Sequence, residues 1–185
     1  MKERSDGYFQ ISLMNVFRQA ARQRDAKAQD QTLTEDGGRV LSARSVERRE
    51  GASQATLKEH LAQDLANLMG TINLEAAQSL EGFDFVRNSV LNYGMLDMSR
   101  LTTDDFRKSK ITKDLRLALL ANEPRLIADT LVVKLRDGGA DASQRIAFDI
   151  TAEMAARPVD VPMEFVAEID TGAGKIAMSN LVIRG

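Results

Sequence analysis

The sequence predicts an α+β fold in which N-terminal helices precede a mainly antiparallel sheet of about four strands packed against helices. Three observations carry that expectation. Leu57, Leu61, Leu65, Leu68 and Ile72 recur at spacings of 4, 4, 3 and 4, the repeat of a single helix face. After Pro124 the apolar period falls to two, in "TLVVKLRD", "QRIAFDITAEM", "VPMEFVAEID" and "KIAMSNLVIRG". Between the last two of these segments, Thr171-Gly172-Ala173-Gly174 has the composition of a hairpin turn.

Residues 9–23 form the first expected helix, with Ile11, Leu13, Met14, Val16 and Phe17 toward one side and Arg18, Gln19 and Arg22 opposite. From about Gln23 to Ser53 apolar residues nearly vanish, and Gly37-Gly38 interrupts a mixed-charge, Gln/Asp-rich stretch that suits a tether. The chain then divides into residues 1–52, an amphipathic arm with a polar linker, and residues 53–185, the α+β domain. A helix that folds back onto the body is the other arrangement compatible with this stretch.

The leucine helix is expected over about Ser53 to Asn73, with Ser53 or Thr56 as N-cap and Gly70 weakening the last turn. Next, "LEGFDFVRNSVLNYGMLDMS" breaks short apolar pieces with Gly82, Asn92-Tyr93-Gly94 and Asp97. Phe83, Phe85, Val90, Leu91, Tyr93 and Leu96 predict an ordered loop turned inward, because such side chains rarely stay solvated together. A further helix starts near Thr102 or Thr103, where Asp104 and Asp105 favour the positive end of its dipole. Phe106, Ile111, Leu115 and Leu119 mark its inner side, and Pro124 ends it. In the first strand Leu131, Val133 and Leu135 share one face, and Val132, Lys134 and Arg136 the other.

Whole-chain properties exclude several functions. A net charge of -2 over 185 residues argues against nucleic-acid binding. The absence of cysteine removes disulfides, thiolate catalysis and cysteine-based zinc sites. Apolar runs such as "LALLA" are too short to span a bilayer, and the N-terminus carries no continuous apolar stretch of a secretory signal, so a cytoplasmic protein without membrane insertion is expected.

Chemistry-bearing motifs are sparse. His60, the only histidine, has Asp64 one helical turn away. Two ligands do not make a metal site, and the plainer reading is a solvated pair on a helix face. "TGAGK" lacks the spacing and following helix of a phosphate loop. Glycoside hydrolysis needs only two carboxyls held about 5 to 10 Å apart, and Glu123, Asp97, Asp104 and Asp105 are candidates. With 27 acidic residues, no Trp and only two Tyr to stack a sugar, that signal is weak. No cofactor, catalytic residue or metal ligand is expected.

The tripeptide Glu123-Pro124-Arg125 stands where the helical period gives way to the strand period. Pro124 stops the helix and fixes the exit direction. Glu123 sits at the negative end of the helix dipole, where an acid needs compensation. Arg125 can supply it or fork onto carboxylates elsewhere. A local ion pair and a rigid corner displayed to a partner both remain open on this reading.

Two motifs in order carry a family resemblance. "SVLNYGMLDMS" (89–99) resembles the "S-V-L-N-Y-G-hydrophobic-x-D-L-S" loop of the TssE-like baseplate proteins of type VI secretion systems. "NEPRL" (122–126) matches the Glu-Pro-Arg signature that this family shares with the gp25-like wedge proteins of contractile phage-tail baseplates. "SLMNVFRQA" (12–20) looks like the family's N-terminal segment but departs at Asn15 and Val16. The resemblance covers residues 57–136 well and the flanks more loosely. It implies a non-catalytic wedge subunit that works with TssF, TssG and TssK and links the baseplate to the TssB–TssC sheath. It further implies that Glu123, Pro124 and Arg125 form a signature loop for docking, with Asn92, Tyr93, Gly94 and Asp97 as a structural loop. A peptidoglycan-cleaving, lysozyme-like hydrolase is the alternative, and the residues above give it little support.

Overall fold

A computed structural model describes residues 9–10, 13–22, 24, 51–98, 105–136, 145–157, 159–170 and 172–183. Two compact units divide the chain, Met1–His60 with Ala156–Val159 and Leu61–Ala155 with Asp160–Gly185. The helices are α1 (Leu13–Arg22), α2 (Gln54–Met69), α3 (Leu74–Ala77), α4 (Asp84–Arg87) and α5 (Asp105–Asn122), with a 3-10 turn at Val90–Asn92. The strands are β1 (Val132–Leu135), β2 (Arg145–Met154), β3 (Val161–Asp170) and β4 (Lys175–Ile183). They form one antiparallel meander in the order β1-β2-β3-β4, so the expected fold class holds.

In the first unit α1 is tied back to the chain ahead of α2. Phe9 and Ala52 exchange two backbone hydrogen bonds of 2.8 Å, and both residues are buried. Arg22 reaches Glu59 at 3.0 Å, an exposed pair worth about 0–1 kcal/mol. The inner face of α1 is not the expected one: Met14 and Phe17 are 58% and 60% exposed while Asn15 is buried. Ile11 and nearly all of the polar stretch at 23–50, including Gly37-Gly38, lie outside the described residues, as do the side chains of Leu13, Val16 and Gln19.

Ser53 caps α2 as expected, its Oγ accepting the Thr56 N–H at 3.2 Å. Leu57, Leu61, Leu65 and Leu68 are all buried, as the spacing predicts. The helix stops at Met69, four residues short of the expected Asn73, and Ile72 is 57% exposed rather than part of the stripe. The cause is local. Gly70 weakens the turn, the Thr71 hydroxyl donates back to the Asn67 carbonyl at 2.7 Å, and Ile72 leaves the helix to form a parallel bridge with Met95.

Ile111, Leu115 and Leu119 form the buried side of α5, which packs on β1. Thr102, Thr103 and Asp104 lie outside the described residues, as do the side chains of Asp105 and Phe106.

The sheet has one apolar face. Ile146 lies opposite Ile169, Phe148 opposite Ala167, Ile150 opposite Phe165, Ala152 opposite Met163 and Met154 opposite Val161. All ten side chains are buried. β1 extends the ladder with Val133 opposite Ile150 and Leu135 opposite Phe148. Thr171 lies outside the described residues, but the rest of its turn fits a hairpin: Gly174 has φ +65° and the Ala173 N–H donates to Asp170 Oδ1 at 2.9 Å.

A bulge in β4 breaks the period the sequence suggests. Val166 pairs with Ser179 and Glu164 with Val182, so Asn180 and Leu181 together oppose Phe165. Asn180 takes φ +55°, a left-handed conformation that asparagine tolerates better than most residues. The extra residue shifts the phase by one and lets Leu181 be buried as Ile176 is. Replacing Asn180 by valine is expected to cost roughly 1–2 kcal/mol in urea unfolding, whereas Asn180→Gly leaves stability nearly unchanged.

Candidate functional site

The corner that follows α5 is built from its own backbone outward. The Glu123 N–H donates to the Leu119 carbonyl at 2.8 Å and the Asn122 side chain to the Ala118 carbonyl at 2.9 Å. Pro124 has no N–H to continue the ladder. The chain turns instead, the Leu126 N–H reaching the Glu123 carbonyl at 3.1 Å.

Glu123 is buried, 5% exposed, at the negative end of the helix. Arg125 compensates it completely. Its Nε donates to Glu123 Oε1 at 2.7 Å, its Nη2 to Oε2 at 2.5 Å, and its backbone N–H to Oε1 at 3.2 Å. Nη2 also donates to Asp64 Oδ2 at 2.7 Å, across 61 residues of sequence. Burial works against the Arg125 charge, but the hydrogen bonds and negative charges of Glu123 and Asp64 outweigh it and raise its pKa above the ordinary arginine value. The cation is therefore permanent, and the corner is a three-residue clamp between α2 and the loop after α5.

The loop it holds is braced further. Leu126 bridges Met154, the Ile127 N–H reaches the Glu153 carbonyl at 2.9 Å, and the Ala155 N–H reaches the Arg125 carbonyl at 2.7 Å. Residues 125–127 thus pair with the end of β2 before β1 begins. Thr130 Oγ1 accepts the Glu153 N–H at 2.8 Å and donates to the Ile127 carbonyl at 2.9 Å. From α5, Arg116 donates to the carbonyls of Ala128 (2.9 Å) and Leu131 (3.3 Å). Arg116 and Thr130 were not singled out by sequence, and Asp64 was read only as a neighbour of His60 on its helix face. Asp64 carried a signal, as an acid on the leucine helix, but nothing local tied it to Arg125.

The His60–Asp64 reading needs correction. His60 is buried, not solvated, and Asp64 is turned to Arg125. Among the described residues no three His, Asp or Glu side chains gather as a metal site would require. Of the carboxyls considered for hydrolysis, Asp97 is half-buried and Glu123 has both oxygens occupied by Arg125. A general acid must offer a proton to its substrate, and a carboxylate locked onto a guanidinium does not.

The second constellation is the Asn92-Tyr93-Gly94 loop. Asn92 Oδ1 accepts the Glu75 N–H at 2.9 Å, and its Nδ2 donates to the Arg87 carbonyl at 3.1 Å. Gly94 has φ +129°, and a Cβ there would stand 2.6 Å from the Thr71 carbonyl oxygen. The bare backbone is required because Met95 hydrogen-bonds on both sides, to the Thr71 carbonyl (2.8 Å) and from the Asn73 N–H (2.9 Å). Asn73 in turn caps α3 through its side chain, and Ser89 Oγ accepts the Leu91 N–H at 3.2 Å. Tyr93 and Asp97 are half-buried.

The expected inward packing of this loop is overturned. Leu80, Met95 and Met98 are its buried anchors, whereas Phe83, Phe85, Val90 and Leu91 are 60%, 96%, 87% and 68% exposed. The asparagine amides hold the backbone from within, so the apolar side chains are free to face out. Tyr93 and Leu96 are intermediate.

A family model described as baseplate wedge protein gp25 matches residues 55–159, more than half of the chain. Comparison with curated proteins and with solved structures finds no match. No helix among the described residues is long and apolar enough to cross a membrane.

Arg125→Ala is expected to cost about 3 kcal/mol, because it strands a buried carboxylate. Adding Glu123→Gln recovers part of that loss, which a double-mutant cycle in urea measures. Gly94→Ala is expected to cost at least about 1–3 kcal/mol, since neither the positive φ nor the 2.6 Å contact can be kept without a shift. Thermal unfolding checks it.

Proposed function

We propose that this chain, which belongs to the baseplate wedge protein gp25 family, is a non-catalytic structural subunit of a type VI secretion baseplate. It joins the cytoplasmic wedge of TssF, TssG and TssK to the contractile TssB–TssC sheath and supports sheath assembly. The observation that carries the reading is the antiparallel meander ending on β4, a nine-residue strand that pairs with β3 alone among the described strands. Such an edge is the template for adding a strand from another chain. Of the two motifs, "SVLNYGMLDMS" resembles the loop of the secretion branch and favours it over a phage tail, whereas "NEPRL" is common to both.

In this reading the Glu-Pro-Arg corner acts indirectly. Its charges are satisfied within the chain, so the clamp shapes residues 125–131 and their junction with β2 rather than offering free charge to a partner. The same saturation of Glu123 argues against a hydrolase.

Arg125→Lys keeps the positive charge but cannot fork onto both Glu123 and Asp64. In cells with a fluorescent sheath subunit, this variant is expected to remain folded yet give markedly fewer assembled sheaths than the wild type. Normal sheath numbers and firing would remove the corner from the docking role. Purified protein incubated with peptidoglycan is expected to release no muropeptides, and release abolished by Glu123→Gln would establish the hydrolase instead.

A further inference from the structure

The loop that carries α3, α4 and the 3-10 turn inverts the usual arrangement of side chains. None of these three elements contains a buried residue. Their backbones are fixed by Asn73, Ser89 and Asn92, while Phe85 and Val90 stand almost fully in solvent and Leu91 largely so. α4 and α3 both lie beside the 3-10 turn. An exposed apolar surface on a backbone braced by hydrogen bonds in this way marks a binding site more than a misplaced core.

The charges around it select the partner. Between residues 74 and 92 there are three acids, Glu75, Glu81 and Asp84, against the single arginine Arg87, a surplus of two negative charges. Arg87 is already engaged, its Nη1 3.4 Å from Asp84 and its Nε 3.2 Å from Glu75, the latter close enough for an ion pair but out of line for a hydrogen bond. Two copies meeting face to face through this patch would set the same acids against each other. An anionic membrane surface is disfavoured by the same charge.

We propose that the Phe85–Val90–Leu91 surface docks an apolar segment flanked by lysine or arginine on a neighbouring subunit of the baseplate wedge. The inference rests on the wedge assignment above and assigns this chain's wedge-facing surface, distinct from the sheet edge. Phe85, the most exposed large apolar side chain among the described residues, is the anchor, and the acids orient the incoming basic residues.

The test uses the full chain co-expressed with the wedge subunits of its own baseplate. Phe85→Ser combined with Leu91→Ser is expected to weaken co-purification at least about tenfold with unchanged thermal unfolding, as no buried contact is lost. Asp84→Lys is expected to weaken it several-fold, more so at low salt. A photo-crosslinking phenylalanine analogue at position 85 should capture a wedge-subunit peptide bearing lysine or arginine beside apolar residues. Wild-type-level recovery of the serine double variant overturns the docking site while leaving the wedge assignment intact. Crosslinking to a second copy, with concentration-dependent dimers in sedimentation that the serine variant loses, overturns the choice of partner. Capture of vesicles containing anionic lipid by the wild type but not the serine variant does so too. Failure of the wild type to co-purify with any wedge subunit removes the wedge assignment and the inference together.

Discussion

The guanidinium of Arg125 is the constraint on which the second unit turns. It answers a buried acid at the wrong end of a helix dipole and, with the same nitrogen, holds a carboxylate on α2. A lysine could neutralise one of these charges but could not span both with fixed geometry. Through that fork the end of α5, the body of α2 and the approach to β1 share one reference point. The braces from Arg116 and Thr130 then carry its position into the sheet. A structural role in a phage-tail-like baseplate suits such a device, since an assembly subunit must present backbone in a set place and needs no reactive group.

The Asn92–Gly94 loop solves a different problem by the same economy of polar atoms. Its amides face inward to fix the chain, so its apolar residues do not have to hold it together. Leu80, Met95 and Met98 anchor the segment, and the side chains of Phe83 and Phe85 are exposed. The exposed apolar surface that results is an outcome of backbone bracing, which is why hydropathy alone misreads it.

Much of the fold was legible because it rests on periodicity. The leucine stripe of α2, the inner side of α5 and the alternation of β2 and β3 all follow from spacing and burial. Three things were not. The end of α2 depends on the Thr71 hydroxyl and on a bridge to Met95, a residue 23 positions beyond Ile72. The exposure of Phe85 depends on asparagine hydrogen bonds that leave no trace in composition. Within the corner, Glu123, Pro124 and Arg125 were legible from the change of period and the helix dipole. Their partner Asp64 was not, because a contact across 61 residues has no local sequence signal.

The two-for-one step at Asn180 and Leu181 also constrains any strand that would pair along β4. A regular strand lying along this edge can keep register with residues 175–179 or with 181–183, but not through both without an irregularity of its own. The step interrupts the flat, continuous edge through which long free strands seed fibrils. The bulge acts as a gauge: it limits an intruding strand to about five residues before the step and makes the edge selective for a guest of matching length.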